Sequence, residues 1–177
     1  EVKYESLIKG INALWMLVRN EQSDTLNTVI QKATTSEQIA SLLQGMAQKV
    51  ESERHDKGIN ALWILAHFEQ WDTLNAVIQK AITPEKINVL LQAMTQKAES
   101  ERRDKGINAL WFLANNEQSD TLNTVIQKAE TPEQITSLLQ GMAQKVEGEG
   151  PNQGTNTLWW LAFHKQWDTL NTVIQKA

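Results

Sequence analysis

The sequence predicts an all-α fold, an α-solenoid of tandem 48-residue units with three helices each. Three observations predict it. The heptapeptide KGINALW begins at Lys9, Lys57 and Lys105 and returns as QGTNTLW at Gln153, so each step is 48 residues. The apolar positions recur at i, i+3 and i+4, and no strand-like alternation appears. The third segment of each unit opens on a helix N-terminus signature. The units run over about 9–56, 57–104 and 105–152, with a partial unit at 153–177, in a single array over 1–177. Residues 1–8 read as the end of a preceding helix.

The first helix of a unit follows Gly10 and Asn12, a turn residue and an N-cap. Leu14, Leu17 and Val18 then form its stripe. The second carries Leu26, Val29 and Ile30, with Asp24 where a helix N-terminus favours negative charge. The segment DTLNTVIQKA recurs from Asp24, Asp120 and Asp168, and as DTLNAVIQKA from Asp72. The third helix has Ile39, Leu42, Leu43, Met46 and Val50 on one face. Thr131, Pro132, Glu133 and Gln134 supply an N-cap, a first-position proline and a capping-box glutamine. In VEGEGPNQG (146–154), Gly148, Gly150 and Pro151 are expected to end the third helix of unit three early and leave a joint before unit four. Units one and three share Ser23 and Ser119 where two and four share Trp71 and Trp167, which points to duplication of a 96-residue block. Such short helices cannot bury their stripes alone, so units must stack. A right-handed stack of eleven helices is the expectation.

Composition narrows the function. Lys and Arg number 17 against 21 Asp and Glu, a net charge of −4, and there is no cysteine. A dedicated nucleic-acid binder carries a basic face, so none is expected. Disulfides, zinc–thiolate sites and thiol catalysis are excluded. No apolar run approaches the roughly 18 residues that span a bilayer. The chain shows no signal-peptide pattern and does not begin with Met, so it reads as a mature or excised piece. A soluble protein compatible with a reducing cytosol is expected.

The start of each unit resembles the ankyrin motif: Gly58, Asn60, Ala61 and Leu62 stand in its pattern, with Trp63 where that family has His. DTLNAVIQKA resembles the ankyrin second helix. The likeness covers about half a unit. The 48-residue length and the third helix in place of a hairpin are closer to armadillo-like units. Both resemblances imply a protein-binding scaffold. The Asn/Gln/Lys-rich duplicated helices are also similar to those of secreted effectors of intracellular bacteria, which implies a larger effector working in a host cytosol.

Four positions of the first helix vary between units, spaced i, i+3, i+4 and i+7, and so share one face. At 100° per residue that face lies opposite the core stripe. Unit one has Met16, Arg19, Asn20 and Ser23; unit three has Phe112, Asn115, Asn116 and Ser119. Unit two has Ile64, His67, Phe68 and Trp71; unit four has Trp160, Phe163, His164 and Trp167. Exposed aromatics anchor partners. The expected partner-binding residues are therefore Ile64, His67, Phe68, Trp71, Phe112, Trp160, Phe163, His164 and Trp167, and the expected partner is a protein or peptide. The competing reading packs the same residues between units. Neutral exchange on a solvated surface does not account for several aromatics arriving together twice.

Trp15, Trp63, Trp111 and Trp159 recur at one position, which reads as core or inter-unit packing. His55, His67 and His164 lack partners at metal-ligand spacing. Glu51 with Glu53, and Glu99 with Glu101, point apart on a helix. Glu53–Lys57 and Glu101–Lys105 read as surface pairs. Arg102, Arg103 and Lys105 read as a solvated helix end. No nucleotide-binding, serine-nucleophile or zinc-protease motif is present. No catalytic residue, cofactor or metal is expected, and the function class is a non-catalytic binding scaffold. The alternative class is a structural, self-assembling array, since Leu170, Val173 and Ile174 lack the third helix that follows them elsewhere. Self-association would then run through that open C-terminal end.

Overall fold

The computed structural model describes residues 11–51, 56–99 and 103–177. Among these residues there are eleven helices and no strand. Block one contributes α1 (Ala13–Arg19), α2 (Ser23–Lys32) and α3 (Ser36–Ala47); block two contributes α4 (Ala61–His67), α5 (Trp71–Lys80) and α6 (Pro84–Thr95). Block three contributes α7 (Ala109–Asn115), α8 (Ser119–Lys128) and α9 (Pro132–Ala143), and block four α10 (Thr157–Phe163) and α11 (Trp167–Lys176). Gly10, His55 and residues 1–8 lie outside the described residues, as do Glu53, Glu101 and Arg102.

Local chemistry fixes the ends of each helix. Asn12, Asn60, Asn108 and Asn156 cap α1, α4, α7 and α10, each accepting from the backbone N–H three residues on. The same side chain has a second task. The amides of Asn12, Asn60 and Asn108 donate to Gly45, Ala93 and Gly141 in the third helix of their own block, at 2.7–2.9 Å. One residue thus starts the first helix and ties it to the third. Asn156 donates to Ala143 of α9 instead. Thr35 and Thr131 form full capping boxes with Gln38 and Gln134. Block two has Lys86 in place of that glutamine, and Thr83 makes no such box.

The first helix turns sharply into the second. Gln22 N–H donates to Leu17 and Glu21 N–H to Val18, a Schellman pair that recurs in all four blocks. The residue after the C-cap adopts φ between 55° and 58° at Glu21, Glu69, Glu117 and Lys165. Glycine is the usual occupant, so the sequence does not announce this turn.

Equivalent helices of consecutive blocks lie against one another: α1, α4, α7 and α10 form one row, α2, α5, α8 and α11 a second, and α3, α6 and α9 a third. Polar clamps repeat across the junctions. Lys80, Lys128 and Lys176 donate to the carbonyls of Ala33, Ala81 and Ala129 at the C-termini of the preceding second helices, where a cation also meets the negative helix end. In the connecting loops, Glu99 N–H donates to Lys57 and Glu147 N–H to Lys105. The Glu99 carboxylate pairs with Lys49 and Lys57, and that of Glu147 with Lys97 and Lys105.

Two expectations about the third helix are corrected. It ends at Ala47, so Val50 is not on its face. Val50 lies in the loop, buried, donating to Ile59 and accepting from Gly58. α9 does not end early, because Ala143 stands in register with Ala47 and Thr95. The substituted loop keeps the same bonds, Val146 to Thr155 and Gly154 to Val146. Gly58, Gly106 and Gly154 hold φ of 79–88° in this loop.

Candidate binding surface

The nine aromatic and apolar positions singled out in the sequence divide into two groups. Ile64 and Phe112 are buried, and the expectation of one exposed face is wrong for them. The reason is the row of first helices. α4 and α7 each have a first helix on both sides and a third helix against them. Ala61–Ala66 and Ala109–Ala114 are buried all round. The sequence carries that signal: ALWILA and ALWFLA have no polar side, and a helix apolar on every side is a buried one. Trp160 and Trp71 are half-buried and pack against the core.

The buried aromatics form the junctions. The Phe112 ring meets Trp63 and His67 edge-on, at centroid distances of 5.0 and 5.2 Å. Trp160 meets Trp111 edge-on at 5.5 Å. Trp63 N–H donates to the Ile107 carbonyl and Trp111 N–H to the Thr155 hydroxyl. Trp63 and Trp111 are therefore inter-block residues, and Trp15 is buried at the same position of block one.

The second group lies where the first helix turns into the second. Phe68 is 38% exposed, Phe163 60% and Trp167 53%. His67 is exposed and its ring stacks on Trp63. Desolvation of the ring face covered by Trp63 lowers the imidazole pKa, opposed by Asp104 and assisted by Arg19. The Arg19 guanidinium sits 5.8 Å above the Phe68 ring, within cation–π range. His164 is half-buried, stacked on Trp160, with Nδ1 3.4 Å from the Glu117 carboxylate. The turn pairs thus bring unlike residues of adjacent blocks together: Arg19 with Phe68, and Glu117 with His164.

The Ser/Trp alternation has a structural counterpart. The hydroxyls of Ser23 and Ser119 donate to the Gln70 and Gln166 side chains of the following block, at 2.9 and 2.6 Å. Odd-to-even junctions are polar at this point, and Trp71 stands there at the even-to-odd one.

Among the described residues, no group of three or more His, Asp or Glu side chains could hold a metal ion. No described helix is long and apolar enough to cross a membrane. Compared with known proteins, the chain matches no family model, no curated protein and no solved structure.

Proposed function

We propose that this chain is an α-solenoid of three-helix units that acts as a non-catalytic scaffold binding a protein or peptide. The row-on-row packing of equivalent helices supports the architecture. A single observation carries the binding reading: Phe68, Phe163 and Trp167 stay exposed at the helix turns, while aromatics of the same four-position set are used up inside the junctions. An exposed aromatic is an anchor that a partner can bury, commonly at 2 kcal/mol or more. The binding residues on this reading are Phe68, Phe163 and Trp167, flanked by His67, His164 and the half-buried Trp71. Ile64, Phe112 and Trp160 hold the helices that present them.

The test is affinity capture from native or host-cell extract with the parent chain and with a Phe68→Asn/Phe163→Asn/Trp167→Ser variant. The replacing residues already stand at equivalent places: Asn20 and Asn116 for Phe68, Asn115 for Phe163, and Ser23 and Ser119 for Trp167. A partner retained by the parent and lost by the folded variant supports the reading. Equal retention by both overturns it.

A further inference from the structure

We propose that Ser36 is a phosphorylation site and that Lys86 of the following block receives the phosphate. The proposal goes beyond the scaffold reading and does not depend on the aromatic turns as a partner site.

Two departures from the repeat meet at this point. The third helices of blocks two and three open on Pro84 and Pro132, whereas block one has Ser36 there. Blocks one and three carry the capping-box glutamines Gln38 and Gln134, whereas block two has Lys86. The two exceptions touch: the Lys86 ammonium donates to the Ser36 hydroxyl at 2.8 Å, from α6 to α3. At the next junction the same positions make a neutral contact. Gln134 donates to the Pro84 carbonyl at 3.2 Å and to the Asn88 side chain at 2.9 Å. Packing one third helix on the next therefore does not require a cation here.

The cation lacks an anion. Lys86 is 7% exposed, and among the described residues it forms no ion pair. A buried ammonium is costly unless a negative group faces it. Glu85, next in the chain, is engaged elsewhere: its own backbone N–H and the Thr83 hydroxyl lower its pKa most, and Lys86 contributes least. The hydrogen-bond partner of the ammonium is thus the neutral Ser36 oxygen.

Ser36 meets the other requirements. It is exposed, and so are Pro84 and Pro132, each of which has a block before it. Exposure therefore belongs to this position and not to the end of the array. Ser36 is also the first residue of the 12-residue helix α3, where the positive helix end favours a dianion. The neighbouring hydroxyls differ. Thr35 is engaged as the cap of α3, accepting from Gln38 N–H, and Thr34 makes no bond to a cation. Glu37 is exposed, so solvent screens its repulsion.

The phosphoryl donor is a nucleoside triphosphate, used by a protein kinase acting on this chain. The Ser36 oxygen bonds to the terminal phosphorus, and the bond from that phosphorus to its bridging oxygen breaks. A nucleoside diphosphate leaves, and the hydroxyl proton passes to the base of the kinase. The neutral bond between α3 and α6 becomes a charge-assisted one, which is shorter and stronger. Modification thereby fastens block one to block two.

Two measurements test this. In the first, the parent chain and Ser36→Ala are incubated with native or host-cell extract and a nucleoside triphosphate labelled at its terminal phosphate. Peptide mass spectrometry should find phosphate on Ser36, and Ser36→Ala should lose that label. No phosphate on Ser36 overturns the proposal. In the second, phosphoserine is placed at position 36 during synthesis, in the parent and in Lys86→Gln. That replacement is the residue of blocks one and three, and circular dichroism checks that it folds. Phosphoserine should raise the melting temperature by about 2 °C or more in the parent and by less than half of that in Lys86→Gln. Phosphorus NMR should place the second phosphate pKa below its ordinary value of about 6 in the parent and closer to it in Lys86→Gln. Phosphoserine at position 34 should be indifferent to Lys86→Gln. Equal phosphate pKa values in the two backgrounds, or a phosphate at position 34 that depends on Lys86 as strongly, overturn the pairing.

Discussion

The indole N–H of Trp63 donates to the carbonyl of Ile107 across 3.0 Å, joining block two to the loop that opens block three. Both groups are buried, so water does not replace the bond when it is lost. Trp63→Phe keeps most of the ring and removes the donor. It should cost about 0.5–1.5 kcal/mol, the net worth of one hydrogen bond, because the Ile107 carbonyl still accepts from the Ala98 N–H. Trp111→Phe should cost a similar amount, because its acceptor, the Thr155 hydroxyl, keeps its own bond to the Asn152 carbonyl. Urea unfolding of the two variants reads both losses, and a loss above about 3 kcal/mol in either would contradict this account.

Phe112 and Phe163 belong to the same variable set in the sequence and to different environments in the fold. Phe112→Ala should lose about 3–5 kcal/mol, as truncation of a buried aromatic does. Phe163→Asn should change stability by about half a kcal/mol or less. Thermal unfolding of the two single variants gives the comparison.

Gly141 and Thr95 are a size-matched pair between α9 and α6. A Cβ at Gly141 would collide with the Thr95 side chain. The equivalent pair one junction earlier is Ala93 and Ala47. Gly141→Ala should therefore destabilise by roughly 1–3 kcal/mol through overpacking, despite the better helix propensity of alanine. Adding Thr95→Ala should restore stability to at least the parent level. A double-mutant cycle measures the coupling, and additive effects would show that the two residues do not share the space.

His67 should make stability depend on pH. Burial of its ring against Trp63 and Phe112 lowers its pKa in the folded chain. The unfolded chain then takes up the proton at a higher pH than the folded one. The contribution is complete above the ordinary histidine value, about 6.5. It is lost as pH falls from there through the lower folded value. His67→Phe, the residue present in block four, should remove this part of the acid-side loss. Melting temperatures at pH 7.5 and pH 5 should lie closer together in the variant than in the parent.

The sequence by itself determined the local architecture. Asn12, Thr35 and Thr131 mark helix starts because capping is an interaction over three or four residues, and its participants are neighbours in the chain. Apolar spacing placed Leu26, Ile30, Leu42 and Met46 inward for the same reason. The turn at Glu69 was not legible, since a left-handed glutamate looks like any other. The end of the third helix was also missed, because Val50 keeps the helical spacing while its hydrogen bonds go to the next loop. The tertiary structure alone decided the fate of the variable positions. Periodicity shows that Ile64, His67, Phe68 and Trp71 share a side of a helix; it does not show what stands against that side. The neighbouring first helix closes over Ile64 and Phe112, whereas Phe163 and Trp167 are exposed among the described residues. Burial is a property of the assembled rows, in which a residue 48 positions away supplies the contact.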